Sequence, residues 1–398
     1  MSFEIALSGI NAVNSQLTGI SNNIANSGTY GFKSSRTNFA STYAGAQPTG
    51  SQASSTTQSI SRGGGVTSTG RPMDVAIEGQ GFFITKDSSG NTAYTRVGIF
   101  GTDKDGNVID SLGRRVQGYG PSTAGAAGAA ALGAFGDLKV PQGQIAAKAS
   151  DTVNYVANMS AGWTAPATAT FNKNDQTSYN SSMVTTVFDS LGNVHNLTQY
   201  FVKSAANAVT VNYVFDGATL PTTTTLTFDT FGKMTSAPGA TINCGTPPGA
   251  AALSLNFNYA GTTSFAGEPS TAVNSANGYA SGLMTGVKIE DNGEISATYS
   301  NGQKQPCGTL ALASFINENG LVQTNNTSWL ESPASGAAVL NRPGTGLAGK
   351  IVAGSLEQSN VDMTSELVNL MASQRTYQAN TKVISTENQM MQALMQAI

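Results

Sequence analysis

Charge is scarce in this 398-residue chain: Asp, Glu, Lys and Arg make up 11 % of it, and the formal net charge is −3. So weak a field neither steers nucleic acid nor draws a protein to an anionic membrane surface. It also leaves little self-repulsion, which suits copies of one chain packed closely together. Two cysteines, Cys244 and Cys307, are too few for a disulfide framework. Spacing alone does not pair them, and free, inert thiols are the expected state. His195 is the single histidine, which excludes a metal site built on several imidazoles and leaves no evident triad. Its place after a turn, in an expected strand, reads as a surface position. Long apolar runs are missing too. The longest uncharged tract near the middle, Val116 to Gly136, is rich in Ala and Gly and contains Pro121, so it reads as a loop and not as a membrane span. The opening Met1-Ser2-Phe3-Glu4 has neither the basic segment nor the unbroken apolar run of a cleavable secretory signal.

With 45 glycines and few charges, the surface must be built mostly of Ser, Thr, Asn, Gln and Gly. Against that background the two ends stand out. Phe3, Ala6, Ile10, Val13, Leu17, Ile20 and Ile24 alternate spacings of three and four. Met363, Leu370, Tyr377, Ile384, Met391 and Ile398 recur every seventh residue, with Leu367, Leu394 and Met395 widening the stripe. Such spacing lays one apolar seam along a helix. The first helix is expected to run to about Ala25 and stop at Asn26-Ser27-Gly28, and the last to begin near Val361. Ordering about 25 residues costs more backbone entropy than burying seven seam side chains returns. The ends are therefore expected to be largely disordered in a free monomer and to become helical when neighbouring copies supply further seams.

Between the ends the pattern is that of strands. Residues 40–70 are dominated by Ser, Thr, Gln, Gly and Ala and read as an extended or flexible connector. Short strands are expected at Val75–Glu78, Phe82–Lys86, Ala93–Val97, Val108–Ile109 and Arg115–Tyr119, and later at Val287–Glu290, Ile295–Tyr299 and Leu310–Phe315. In the middle, Val209, Val211, Tyr213 and Phe215, then Leu253, Leu255, Phe257 and Tyr259, alternate with polar residues as half-buried strands do. An Asp followed three residues later by Gly occurs at Asp87–Gly90, Asp103–Gly106, Asp110–Gly113, Asp189–Gly192 and Asp229–Gly232. Asp at the first turn position accepts backbone N–H groups, and Gly at the fourth tolerates positive φ. Five of 23 acidic residues are thereby assigned to hairpin turns and not to catalysis.

Two motifs imitate chemistry. Gly344 to Lys350 has the glycine and lysine spacing of a phosphate-binding loop, but Ile351 stands where a Ser or Thr would hold magnesium, and no helix is expected to follow. Asp103, Asp105, Asn107 and Asp110 resemble part of a calcium loop, yet Arg114 occupies its twelfth position and the flanks read as strands.

Three segments carry a family resemblance. Ala6 to Ile10, leading to Ser21 to Asn26 and Gly31-Phe32-Lys33-Ser34-Ser35, resembles the N-terminal signature of bacterial flagellar axial proteins, the rod, hook and hook-associated family. Asp74 to Phe83, followed by Tyr94-Thr95-Arg96-Val97-Gly98, resembles that family's first β-domain. Gly354 to Asp362, then Gln374 to Asn380, is similar to its C-terminal helix signature. The length, and Met183 to Asn193, resemble the large β-insertion of the hook members.

The resemblance implies a mainly β chain with α-helical coiled-coil termini and nested, discontinuous β-domains between them. The expected division is 1–30 plus 359–398 as the helical domain, 31–70 as an extended connector, 71–147 plus 286–358 as an inner β-domain and 148–285 as an outer one. It implies a structural subunit of a curved, flexible tube that carries torque from rod to filament. Implied partners are copies of the chain itself, the flagellar distal rod, hook cap and hook–filament junction proteins, the flagellar type III export apparatus, and a chaperone. No enzyme activity, catalytic residue, cofactor, metal, nucleic acid or small-molecule substrate is expected. The terminal seams, Phe3 to Ile24 and Met363 to Ile398, would carry polymerisation, and Phe3 and Leu7 resemble the family's export determinant. A distal rod subunit is the nearest alternative within the family. A secreted β-rich adhesin would account for the Gly/Ser/Thr/Asn content but not for helical ends.

Overall fold

In the computed structural model, residues 2–45, 47–121 and 133–396 are described. The chain is mainly β with a helix at each end, and it divides into two compact units. The first comprises Met1–Gln142, Gly286–Thr298 and Lys304–Ile398; the second comprises Gly143–Thr285 and Tyr299–Gln303.

In the first unit, helix α1 spans Ser2–Ala25. It ends where side chains take over its last carbonyls: Asn26 Nδ2 donates to the Asn22 carbonyl (2.9 Å) and Ser27 Oγ to that of Ile24 (2.9 Å). Helix α2 spans Met363–Gln396 and starts at Asp362, whose carboxylate accepts from the N–H groups of Thr364 and Ser365 and from Ser365 Oγ. Those bonds, led by the Ser365 hydroxyl, hold the Asp362 carboxyl below the usual range.

Residues 35–58 form a paired hairpin and not a loose connector. Strand β1 (Ser35–Ala44) runs antiparallel to β2 (Gln47–Gln58), with register shifts at Asn38/Phe39 and Thr42/Tyr43. Such polar strands show no apolar alternation to read, because nearly all their stabilisation is main-chain pairing plus contact with α1. The hairpin reaches α1 through Ser8 Oγ, which accepts from the Ser51 N–H (3.2 Å), and through Thr37 Oγ1, which donates to the Ser15 carbonyl (3.4 Å).

The β-part of this unit closes on itself. Lys350–Ala353 pairs with Val75–Glu78, and Ser355–Glu357 with Val66–Ser68, so the end of the body is zipped to its beginning. Ile60, Phe82, Ile84, Tyr94, Phe315 and Trp329 share one core, with Phe82 edge-on to Trp329 at 5.5 Å and Tyr94 to Phe315 at 4.8 Å. The single strand expected at Leu310–Phe315 is two. Leu310 pairs with Gly118 whereas Leu312 pairs with Phe83, so the chain changes partner at Ala311.

The second unit is a sandwich of two four-stranded sheets. One is a meander of Ser181–Phe188, Val194–Ala205, Ala208–Phe215 and Ala218–Thr227; the other has the order Gly239–Asn243, Ser254–Asn258, Thr152–Asn158, Ser270–Ala276. The alternating residues read from sequence, Val209, Val211, Tyr213 and Phe215 with Leu253, Leu255, Phe257 and Tyr259, are buried in its core. Across that core the Tyr213 and Tyr259 hydroxyls meet at 2.7 Å, and Tyr259 donates to Gln199 Oε1 (2.8 Å), leaving no buried hydroxyl unpaired there.

All five Asp–x–x–Gly segments are turns of one geometry. In each, Asp Oδ1 accepts from the N–H groups two and four residues on, as Asp229 does from Phe231 and Lys233. Each fourth-position glycine has positive φ, between 76° and 90°. Asp103, the calcium-loop candidate, also accepts from Asn107 Nδ2 (2.7 Å), so its oxygens serve the turn. Gly344 to Gly349 likewise turns into the strand Lys350–Ala353 and not into a helix.

Candidate polymerisation surface

Helices α1 and α2 lie antiparallel. Asn23 Nδ2 donates to Glu366 Oε1 (2.9 Å), and Gly9 lies so close to Asn380 that a Cβ there would sit 2.9 Å from its Nδ2. Continuing that register brings Ser2 level with Glu387, so residues 388–396 reach past the start of α1.

The seam residues of α1 mostly face inward. Ala6, Val13 and Ile20 are buried and Ile10, Leu17 and Ile24 half-buried, while Phe3 and Leu7 stay 41 % and 38 % exposed. On α2 the inward face alternates apolar and polar positions: Glu366, Leu370, Asn380, Ile384 and Glu387 are half-buried and Ser373 is buried. That is a heptad whose second position is polar or small, so one partner helix does not saturate α2. Met363, Leu367, Tyr377, Met391 and Leu394 are exposed, as are Val368, Met371, Val383, Met390 and Met395. Met390, Met391, Leu394 and Met395 are 58–69 % exposed at the overhanging tip. Ile398 lies outside the described residues. Of the α2 stripe, Leu370 and Ile384 are thus half-buried in the single chain, and Met363, Leu367, Tyr377, Met391, Leu394 and Met395 are left uncovered. Over a helix of 34 residues, about 51 Å at 1.5 Å each, only Ser373 is buried.

Beneath the helices is a cluster that sequence reading missed. Glu357 is buried between two cations: Lys33 Nζ lies 2.6 Å from its Oε1, and Arg96 Nη1 3.3 Å from its Oε2. All three side chains are 0–1 % exposed. Lys33 Nζ also donates to the Arg62 carbonyl (2.8 Å), and the Gly64 N–H donates to Glu357 Oε1 (3.0 Å). Burial pulls the Lys33 ammonium below its ordinary pKa, against the opposing pull of Glu357. One signal was available: in a charge-poor chain, each of the three family-like segments carries one of these charges.

The expected surface histidine is more constrained than anticipated. His195 is flanked by Asp216 Oδ2 at 2.6 Å and Asp189 Oδ2 at 3.3 Å, its ring stacks on Phe215, and its side chain is 12 % exposed. Cys244 and Cys307 are both free and buried, and burial, reinforced by Asp216, pushes the Cys244 thiol up to about 12.

Paired terminal helices around nested β-structure match the flagellar rod and hook class. Residues 76–155 match the family described as flagellar hook protein FlgE/F/G D1 domain, 157–279 the flagellar basal body protein FlaE D2 domain, and 352–397 the flagellar basal body rod FlgEFG protein C-terminal family. The chain is 38 % identical over 403 residues to the flagellar hook protein FlgE of Salmonella typhimurium, covering 99 % of each chain. It is 36 % identical to that of Escherichia coli, again over 99 % of each, and 30 % identical to that of Treponema pallidum, over 98 % of this chain and 97 % of the relative. The crystal structure of the Helicobacter pylori flagellar hook protein FlgE2 shares the fold, with a TM-score of 0.55 at 15 % identity, over 73 % of this chain and all of that one. The chain belongs to the flagellar hook protein FlgE family.

Proposed function

We propose that the chain is the subunit of a flagellar hook, polymerising through its terminal helices into a curved, bendable tube that carries torque from rod to filament. The observation that carries this reading is the set of large apolar side chains left exposed on α2, Met363, Leu367 and Met371 near its start and Met390, Met391, Leu394 and Met395 at its tip. Contacts that do not close on themselves extend such a surface into an open helical polymer. The disorder expected of these ends in a free monomer is not what the single chain has: both are helices, Ser2–Ala25 and Met363–Gln396, joined by the Asn23–Glu366 hydrogen bond.

A separate domain at about 148–285 is supported by Gly143–Thr285, with Tyr299–Gln303, forming a compact unit of its own. Distal rod, hook cap and junction proteins are the proposed partners at the ends of the tube. Export through the flagellar type III apparatus is proposed to use Phe3 and Leu7, both exposed on α1. Electron microscopy of purified protein after salt-induced polymerisation tests the reading. Curved tubes support it, straight rods favour a rod subunit, and soluble monomer at high concentration contradicts both.

A further inference from the structure

The chain passes between the helical pair with its hairpin and the β-body at three stretches, Gly31–Lys33, Ser59–Gly65 and Glu357–Asn360, and beside them Trp329 Nε1 of the body donates to Gln58 Oε1 of the hairpin (3.0 Å). The three stretches are cross-linked to each other. The Gly31 N–H donates to the Glu357 carbonyl (2.8 Å), the Gln358 N–H to the Gly65 carbonyl (2.7 Å), and Asn360 Nδ2 to the carbonyls of Ser59 and Arg62 (both 2.9 Å). The Ser34 N–H donates back to Asn360 Oδ1 (2.7 Å).

Glu357 ties this bundle to the body by dividing its two oxygens. Oε1 serves the connecting stretches, through Lys33 and Gly64; Oε2 serves the body, through Arg96. Arg96 in turn is held over the Phe82 ring at 5.2 Å, in the middle of the body's core, and its backbone sits 3.1 Å from where a Gly31 Cβ would be.

Stability alone does not account for such a group. Two cations and one anion are buried in contact, a second carboxylate, Glu318, acts on Lys33 without bonding to it, and Glu318 Oε2 and two of Arg96's nitrogens, Nε and Nη2, have no hydrogen-bond partner. Buried ion triads of this kind are often replaced by apolar residues without loss of stability. What apolar side chains cannot supply is direction. A carboxylate bridging two fixed donors sets both distance and angle between the pieces that carry them.

We propose that the Lys33–Glu357–Arg96 triad is a positioning joint that fixes the angle at which the helical pair leaves the β-body, and so sets the curvature of the polymer but not the ability to form it. The proposal rests on the tube reading above. A curved tube needs subunits on the inner and outer sides of the bend to differ, and the angular range that such a joint allows each subunit sums along the tube into its curvature.

The test compares wild-type protein, an Arg96→Lys variant that keeps the charge but replaces the planar guanidinium over Phe82 with a shorter ammonium, and a Lys33→Met, Glu357→Leu, Arg96→Met triple variant. Each is melted as monomer, polymerised in salt and imaged. Both variants are expected to polymerise within threefold of the wild-type critical concentration, with mean curvature altered, or its spread widened, at least twofold. The triple variant is expected to melt no lower than wild type. Variant tubes with the curvature and repeat of wild type would overturn the joint while leaving the tube reading intact. A wild-type protein that forms no tube would overturn the tube reading itself, and the joint's role in curvature with it.

Discussion

A Met391→Ser, Leu394→Ser double variant separates what the α2 tip does in one chain from what it does among many. Both side chains are already 58–60 % exposed in the single chain, so serine there removes little intramolecular burial. Full burial of a Met or Leu side chain is worth ~1.5–3 kcal/mol, and the still-exposed fraction of the two together leaves about 2–3 kcal/mol available to a neighbour. At 1.4 kcal/mol per tenfold, the critical concentration for polymerisation should rise roughly 30–150-fold. Sedimentation of polymer from monomer across a concentration series measures it, with a thermal melt of the monomer alongside. A critical concentration within twofold of wild type would refute the reasoning, and so would a monomer destabilised as much as the polymer.

His195 links stability to pH. Burial alone would lower its pKa, but hydrogen bonds and charge from Asp216 and Asp189 outweigh that and raise it above 6.5. A group bound more tightly when protonated stabilises the fold fully below its unfolded pKa and loses that contribution as pH climbs through the raised value. The melting temperature of the second unit should therefore fall as pH rises from about 6.5, and His195→Gln should flatten the slope; calorimetry across pH 5–9 reports both. Glycines near the joint and in a turn should behave differently. A Gly64→Ala Cβ would sit 1.9 Å from the Gln358 carbonyl oxygen, a backbone clash expected to cost at least ~1–3 kcal/mol. Gly113→Ala meets nothing within 4 Å and pays only the left-handed backbone term, about 1–2 kcal/mol, so urea titration should rank Gly64→Ala as the more damaging. Phe3→Ala should reduce secretion more than polymerisation if Phe3 is an export determinant; equal losses in both assays would make it a seam residue only.

The helical ends were readable because a period near 3.5 is a strong signal in a chain otherwise built of short polar residues. The five Asp turns were readable for a local reason too: one carboxylate and one left-handed glycine specify them without help from the rest of the fold. Alternation placed the sandwich strands around Val211 and Phe257 correctly. What escaped was non-local. The hairpin Ser35–Gln58 has no apolar period, since main-chain pairing and α1 hold it. The change of partner at Ala311 depends on which strand lies alongside. Lys33 and Glu357 meet across 324 positions, and no spacing rule could have joined them. The polar heptad positions Ser373 and Asn380 hid which face of α2 turns toward α1.

The most direct measurement is electron microscopy, with sedimentation, of a chain lacking residues 1–25 and 363–398. If assembly runs through the paired helices, this protein stays monomeric at concentrations where the intact chain forms tubes. Tubes growing from it as readily as from the intact chain would contradict the account.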